Sequence, residues 1–306
     1  MIELIATAES VAQGKALIDC GIDTLYIGED FYGLRLPYSF SLEEIEELTT
    51  YAHQANKEVC VAVNALFHQD RIEKVAPYLK ALEAIKIDRV TVGDPGVIRI
   101  LKKEAPTLKF VYDAQILVTS ANQINFWVNR GAVGAVLARE VTYEELQIIR
   151  PQVQVPIEML VYGATCIHQS KRPLVENYFH FIEEEEDTSK ERGLFISEPK
   201  KEDTHYSIYE DINGTHIFAD NDINLMPELD KLINNDFAQW KLEGIYTKGD
   251  TFVAIVQLFV QAKEAFEAGK WTPALMEILN QQLIELHPAE RGLDEGFFVK
   301  NPGDVK

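Results

Sequence analysis

The chain is poor in cysteine, in positive charge and in long apolar runs, and each shortage removes a class of protein. Three cysteines (Cys20, Cys60, Cys166) among 306 residues, odd in number and widely spaced, give no disulfide framework. No apolar stretch has signal-peptide form or the length to cross a bilayer, and a strand pattern begins almost at once, at residues 2–6. The expected location is therefore cytoplasmic, with no membrane partner. Only 29 Lys and Arg stand against 49 Asp and Glu, a formal charge of −20. Nucleic-acid binding rests on cations that neutralise phosphates, so this chain alone is a poor grip for RNA. The excess charge reads first as a solubilising surface. His-Glu-x-x-His, Gly-x-Ser-x-Gly, a Walker loop and Gly-x-Gly-x-x-Gly are all missing, which counts against hydrolase and nucleotide-cofactor readings.

What is present is a strand–helix rhythm. With 46% hydrophobic and 25% charged residues the composition is ordinary for a large core. Short apolar runs at 2–6, 24–28, 59–63, 89–92, 109–112, 133–138 and 157–162 alternate with helical patterns. That cadence predicts parallel strands joined by helical crossovers. Ser41 and Glu44 form a capping box before an apolar stripe, and Thr142 with Glu145 repeats it. Pro95 opens a helix that runs to Glu104, with Asp94 as its N-cap. After Cys166 the rhythm fails. Residues 171–203 read as loop, and a hairpin (204–211, 215–219) flanks the turn dipeptide Asn213-Gly214. A helix at 227–234, a last strand at 239–242 and helices at 251–268 and 273–286 follow. The pattern predicts an α/β protein, a (β/α)8 TIM-like barrel with a long loop and hairpin insertion after strand seven. The barrel domain would cover 1–270, with the insertion at about 164–238, and a C-terminal helix and tail (271–306) would pack on it. An open doubly wound sheet is the alternative.

In such a barrel, chemistry gathers at the carboxyl ends of the strands. Those ends carry Glu29, Asn64, His68, Asp94, Gln115, Arg139, Glu140, Cys166, His168, Lys241 and Glu243. Arg139 and Glu140 read equally as a local ion pair and as a substrate clamp, and His68 as a loop hydrogen-bonder. Cys20 and Cys60 read as small core residues. Cys166, beyond a strand end beside polar groups, reads as a nucleophile or a metal ligand. The Cys166-x-His168 pair lacks two further soft ligands at a plausible spacing, so no metal site is predicted. The candidate catalytic residues are Cys166 and Glu243. Asn64, Gln115, Arg139, Glu140 and Lys241 are the candidate substrate-binding residues.

Several segments carry a family resemblance. They include Glu3-Leu4-Ile5-Ala6, Tyr32-Gly33-Leu34-Arg35, Asp94-Pro95-Gly96-Val97 and Val136-Leu137-Ala138-Arg139-Glu140. Tyr162-Gly163-Ala164-Thr165-Cys166, Lys241-Leu242-Glu243-Gly244 and Arg291-Gly292-Leu293-Asp294-Glu295-Gly296-Phe297 complete the set. Over nearly its whole length the chain resembles the collagenase-like peptidases of unassigned mechanism, peptidase family U thirty-two. The resemblance implies oxygen-independent hydroxylation more than proteolysis, on the wobble uridine of transfer RNA, a ribosomal RNA cytidine or ubiquinone precursors. It also implies an iron–sulfur cluster on four cysteines, with prephenate or a derivative as oxygen source for the RNA reactions.

This chain departs from that pattern. Cys166 matches the first cluster cysteine, but Pro173 and Phe195 stand where the second and third belong, and Ser197 to Lys200 contain no cysteine. One thiolate cannot seat a four-cysteine cluster. The departures resemble the short paralogue that many Gram-positive bacteria carry beside a longer, cysteine-complete one. The resemblance thus implies a non-redox barrel subunit or helper in 5-hydroxylation of transfer-RNA wobble uridine. The iron–sulfur cluster would sit in the paralogue, transfer RNA would be engaged indirectly, and a homo-oligomer is a further expectation. Arg139 and Lys241 would hold a prephenate-like acid. A collagenase-like peptidase using Cys166 and His168 and a catalytically silent scaffold are the alternatives.

Overall fold

A computed structural model describes residues 1–113 and 118–305 of the chain. Strands β1 (Glu3–Thr7), β2 (Thr24–Ile27), β3 (Glu58–Ala62), β4 (Arg89–Val92), β5 (Lys109–Tyr112), β6 (Ala132–Val136) and β7 (Ile157–Ser170) follow one another in parallel order. Between them run α1 (Val11–Cys20), α2 (Leu42–Gln54), α3 (Val75–Ala84), α4 (Pro95–Glu104), α5 (Ala121–Val128) and α6 (Tyr143–Ile149). Side-chain caps set where many of these helices start. Ser10, Ser41, Asp94, Ser120 and Thr142 each accept a first-turn N–H, and both predicted capping boxes form. Each such cap contributes about 1 kcal/mol.

Strand β11 (Gln239–Leu242) closes the circle. It pairs in parallel with β1 (Glu3↔Gln239) and with β7 (Gln239↔Glu158), so eight parallel strands form a sealed (β/α)8 barrel. Closure explains why the strands read as continuous apolar runs: helices cover one face and barrel packing fills the other. Leu4, Val59, Val61, Val90, Trp240 and Leu242 are all fully buried. At the amino-terminal end of the strands Arg89 bridges Glu3 and Glu58, stitching β1, β3 and β4 together. That end is the stability face of a barrel, opposite the chemistry.

The predicted insertion is present, with two corrections. The seventh strand does not end at Tyr162. It turns at Gly163 (φ +116°), continues to Ser170 and changes partner, pairing antiparallel with β10 (Gly214–Asn224). Strand β9 (Lys201–Asp211) and the short β8 (Phe195–Glu198) extend that ribbon. The segment expected to be loop, 171–203, therefore contains β8 and also α7 (Leu174–Phe181). Helix α7 buries no residue and points Leu174, Tyr178 and Phe181 outward, so its stripe marks no core face. Beyond the insertion, α8 (Leu229–Asn234) leads into β11, and α9 (Gly249–Glu267) covers it. Helix α10 (Pro273–Leu286) packs on α9 through buried Leu279 and Leu283, and β12 (Gly292–Asp294) pairs with β10. Among the described residues, no helix is long and apolar enough to cross a membrane.

Candidate active site at the barrel mouth

The carboxyl ends of the barrel strands enclose a narrow cavity of about 40 Å³, lined by Tyr26, Arg35, Arg139, Cys166, Phe218 and Glu243 among others. Its floor is a buried charge cluster. Lys241 is 1% exposed, with Nζ 3.0 Å from the centroid of the Tyr26 ring, 3.7 Å from Glu243 Oε1 and 3.9 Å from Glu158 Oε1. Burial pushes the Glu158 carboxyl above its usual range, although Lys241 pulls it down. Burial likewise holds the Tyr26 phenol well above its ordinary value. Asn64 belongs to the same floor. Its Nδ2 donates to Asp113 Oδ2 at 2.8 Å, and its Oδ1 accepts from Leu34 N at 2.9 Å.

The residues picked out from the strand ends thus separate into layers. Arg139 and Glu243 reach the cavity wall, whereas Asn64 and Lys241 lie beneath it. Glu140 is half-buried next to Arg139 in the chain. Gln115 lies outside the described residues. Asp94 caps α4, its Oδ1 accepting from Gly96 N, and the His68 carbonyl closes a turn with Arg71 N and Ile72 N. Glu29 is half-buried, and burial with Asp30 nearby raises its carboxyl.

Cys166 has a different companion from the one its sequence neighbour suggested. Because β7 continues as a strand with an irregularity opposite Ile217 and Phe218, His168 pairs with Ile217 and faces solvent. Only its backbone oxygen meets Cys166, at 3.2 Å from Sγ. The imidazole beside the thiol is His216 of β10, two residues from Phe218, the residue that pairs with Cys166. It is fully buried, and its Nε2 sits 2.9 Å from Asp211 Oδ1. Burial raises the Cys166 thiol, but His216 and Arg35 outweigh it and hold the group below the ordinary thiol value. Burial depresses His216, yet Asp211 and Cys166 lift it above the usual imidazole range. Cys20 and Cys60 go the other way, pushed by burial to about 11 and about 12. Arg35, Asp211 and His216 escaped the sequence reading. The signal for two of them was the Asn213-Gly214 turn, which folds Asp211 back toward His216.

The donors present do not fit a four-thiolate cluster. Pro173 immediately precedes α7, Phe195 is 55% exposed on β8, and Cys20 and Cys60 sit in α1 and β3. Among the described residues no group of three His, Cys, Asp or Glu side chains converges as a metal site.

The profile of Peptidase family U32 matches residues 9–306. The chain belongs to Peptidase family U32. It is 33% identical over 308 residues to tRNA hydroxylation protein P2 of Bacillus subtilis, covering 97% of each chain. It is 25% identical to tRNA hydroxylation protein P1 of the same organism, over 98% of this chain and 72% of that one. The solved structure of a U32 peptidase superposes with a TM-score of 0.45 at 20% identity, over 54% of this chain and 70% of that one. Within the family the segment Tyr162 to Cys166 acquires a concrete place: it is the stretch where β7 leaves the barrel and delivers its thiol to the mouth.

Proposed function

We propose that this U32 protein is a barrel subunit in the oxygen-independent 5-hydroxylation of transfer-RNA wobble uridine, working with a longer, cluster-bearing paralogue. The observation that carries the reading is likeness over nearly the whole of this chain to proteins named for tRNA hydroxylation, which supports a role in RNA hydroxylation. Two further facts support the division of labour. The chain lacks the thiols for a redox centre, and its charge of −20 repels a phosphate backbone. A partner would then supply the cluster and the grip on RNA. This chain would contribute the mouth cavity, where Arg35 and Arg139 favour the carboxylate end of a prephenate-like acid. The Cys166–His168 pair on which the peptidase alternative rests does not form, since His168 is exposed to solvent on β7.

The test is deletion of the gene followed by nucleoside analysis of bulk transfer RNA, in a strain without a redundant hydroxylation route. Loss of 5-hydroxyuridine derivatives, restored by the intact gene, is expected. Unchanged levels would remove the reading.

A further inference from the structure

The strand ribbon that overhangs the barrel mouth gathers a second set of groups on one face. Cys166 pairs with Phe218 and Gln169 with His216, so the alternation of β10 puts Phe218 and His216 side by side next to the thiol. Tyr209 lies opposite His216 on β9, with ring centroids 4.9 Å apart, and wedges the imidazole in place. His216 gives Nε2 to Asp211, 2.9 Å away. Its Nδ1 is buried and has no conventional hydrogen-bond partner, which leaves that nitrogen for the thiol with which the ring interacts. A buried imidazole nitrogen without a partner is costly, because it has given up water and gained nothing in return. Such a cost is expected where the nitrogen has a proton to exchange.

A parallel observation defines what enters. Arg35 Nη1 is fixed by Gln169 Oε1 at 2.7 Å, while its Nη2 is buried at the cavity and makes no hydrogen bond. Arg139 lines the same cavity from the end of β6. A locked guanidinium with an unused buried edge matches a carboxylate.

We propose that Cys166 is a nucleophile, with His216 as its base and Asp211 as the carboxylate that orients the base, and that it attacks small carboxylate-bearing electrophiles held by Arg35 and Arg139. The geometry is the nucleophile–base–orienter arrangement of covalent catalysis. In the step, the thiol proton passes to His216 and Sγ forms a bond to the electrophilic carbon. The carbon–leaving-group bond breaks, and the leaving group departs with that electron pair. The proton on His216 then goes to the leaving group or to water, so charge and atoms balance. Other charged or titratable groups face this set from each neighbouring element. They are Arg35 and Asp30 after β2, Arg139 after β6, Tyr209 on β9, and Glu243 and Tyr246 after β11. The Cys166 thiol, held below its ordinary value by His216 and Arg35, agrees with this arrangement. The inference shares Arg35 and Arg139 with the proposed function, but its test uses the purified protein without RNA or partner, so the two can fail separately.

The experiment is alkylation of the full, folded chain by iodoacetate and by iodoacetamide across pH, followed by intact mass and peptide mapping. Modification is expected at Cys166 ahead of Cys20 and Cys60, with a half-maximal rate at a lower pH than free cysteine. The iodoacetate-to-iodoacetamide rate ratio is expected to exceed that of free cysteine by about tenfold, equivalent to about 1.4 kcal/mol. His216→Gln is expected to raise the half-maximal pH, and Arg35→Gln to return the ratio toward the free-cysteine value. A wild-type pH profile and rate ratio matching free cysteine would overturn the proposal without recourse to any variant. So would an unchanged profile in a folded His216→Gln protein.

Discussion

Lys241 lies with its ammonium 3.0 Å from the centroid of the Tyr26 ring, under the cavity and out of contact with solvent. A cation over an aromatic face is attracted by the ring quadrupole, more strongly when both are desolvated. The pair forms the floor on which Glu158 and Glu243 converge, so Lys241 is first of all a structural counter-charge.

Lys241→Met should therefore be strongly destabilising and the loss should depend on pH. Removing one partner of a buried ion pair costs about 3–5 kcal/mol. Burial already raises Glu158 and Lys241 is what lowers it, so its folded value should rise further in the variant. A raised folded pKa gives stability that is present below the unfolded carboxylate value and is lost as pH climbs through the folded one. Urea unfolding should show a larger deficit at pH 7.5 than at pH 5. Equal deficits would mean that Lys241 does not neutralise Glu158.

The barrel was legible because its signals are local. Capping residues at Ser41, Asp94 and Thr142 and apolar runs bounded by turns fix elements within a few residues of chain. The Asn213-Gly214 turn announced its hairpin for the same reason, since few residues tolerate that backbone. The continuation of β7 past Gly163 was not legible. Its partner, β10, comes from more than forty residues away, and pairing at that distance leaves no periodic mark in Ile167 or Gln169. His216 was missed by the same mechanism, being fixed to Cys166 only once β7 and β10 align. Lys241 and Asn64 were read as rim residues because a strand-end position does not disclose depth. Both side chains turn inward, into the layer beneath the mouth.

Gly163 provides a test of how that long strand is aimed. Its φ of +116° is open to glycine, and a Cβ there would run into the Glu243 carbonyl, whereas one at Gly193 (φ +70°) would meet open space. Gly163→Ala should cost about 3 kcal/mol or more, combining backbone strain with a backbone clash. Gly193→Ala should cost about 1–2 kcal/mol from backbone strain alone. Thermal melts of the two variants check the contrast. A Gly163→Ala protein as stable as Gly193→Ala would mean that β7 can leave the barrel by another path.

Arg139 stands at the cavity wall, half-exposed, so its loss should affect ligand more than fold. Hydrogen bonds to a charged group contribute about 1.5–3 kcal/mol. In Arg139→Ala the affinity for prephenate, measured by calorimetry on the purified chain, should fall about tenfold to a hundredfold. The melting temperature should stay close to that of the parent. Equal affinity in the two proteins would place the acid elsewhere, or not on this chain.

Asp211 and His216 give the last expectation, in which the sign of the pH effect is diagnostic. His216 is raised in the folded chain, against burial, by Asp211 and Cys166. Its stabilising contribution is therefore complete below the unfolded imidazole value and disappears as pH rises through the raised folded value. Cys166, lowered in the fold, contributes with the opposite sense: its share is present above the unfolded thiol value and is lost as pH falls through the folded one. The two are separated in a Cys166→Ser background, where only the imidazole contribution remains. There, Asp211→Asn should cost about 1.5–3 kcal/mol at pH 6, the range for a hydrogen bond to a charged group. The cost should shrink toward pH 9, as the imidazole loses its proton. Denaturant unfolding at the two pH values decides it. A penalty that stayed constant or grew toward pH 9 would mean that His216 is neutral throughout, and that Asp211 only accepts its N–H.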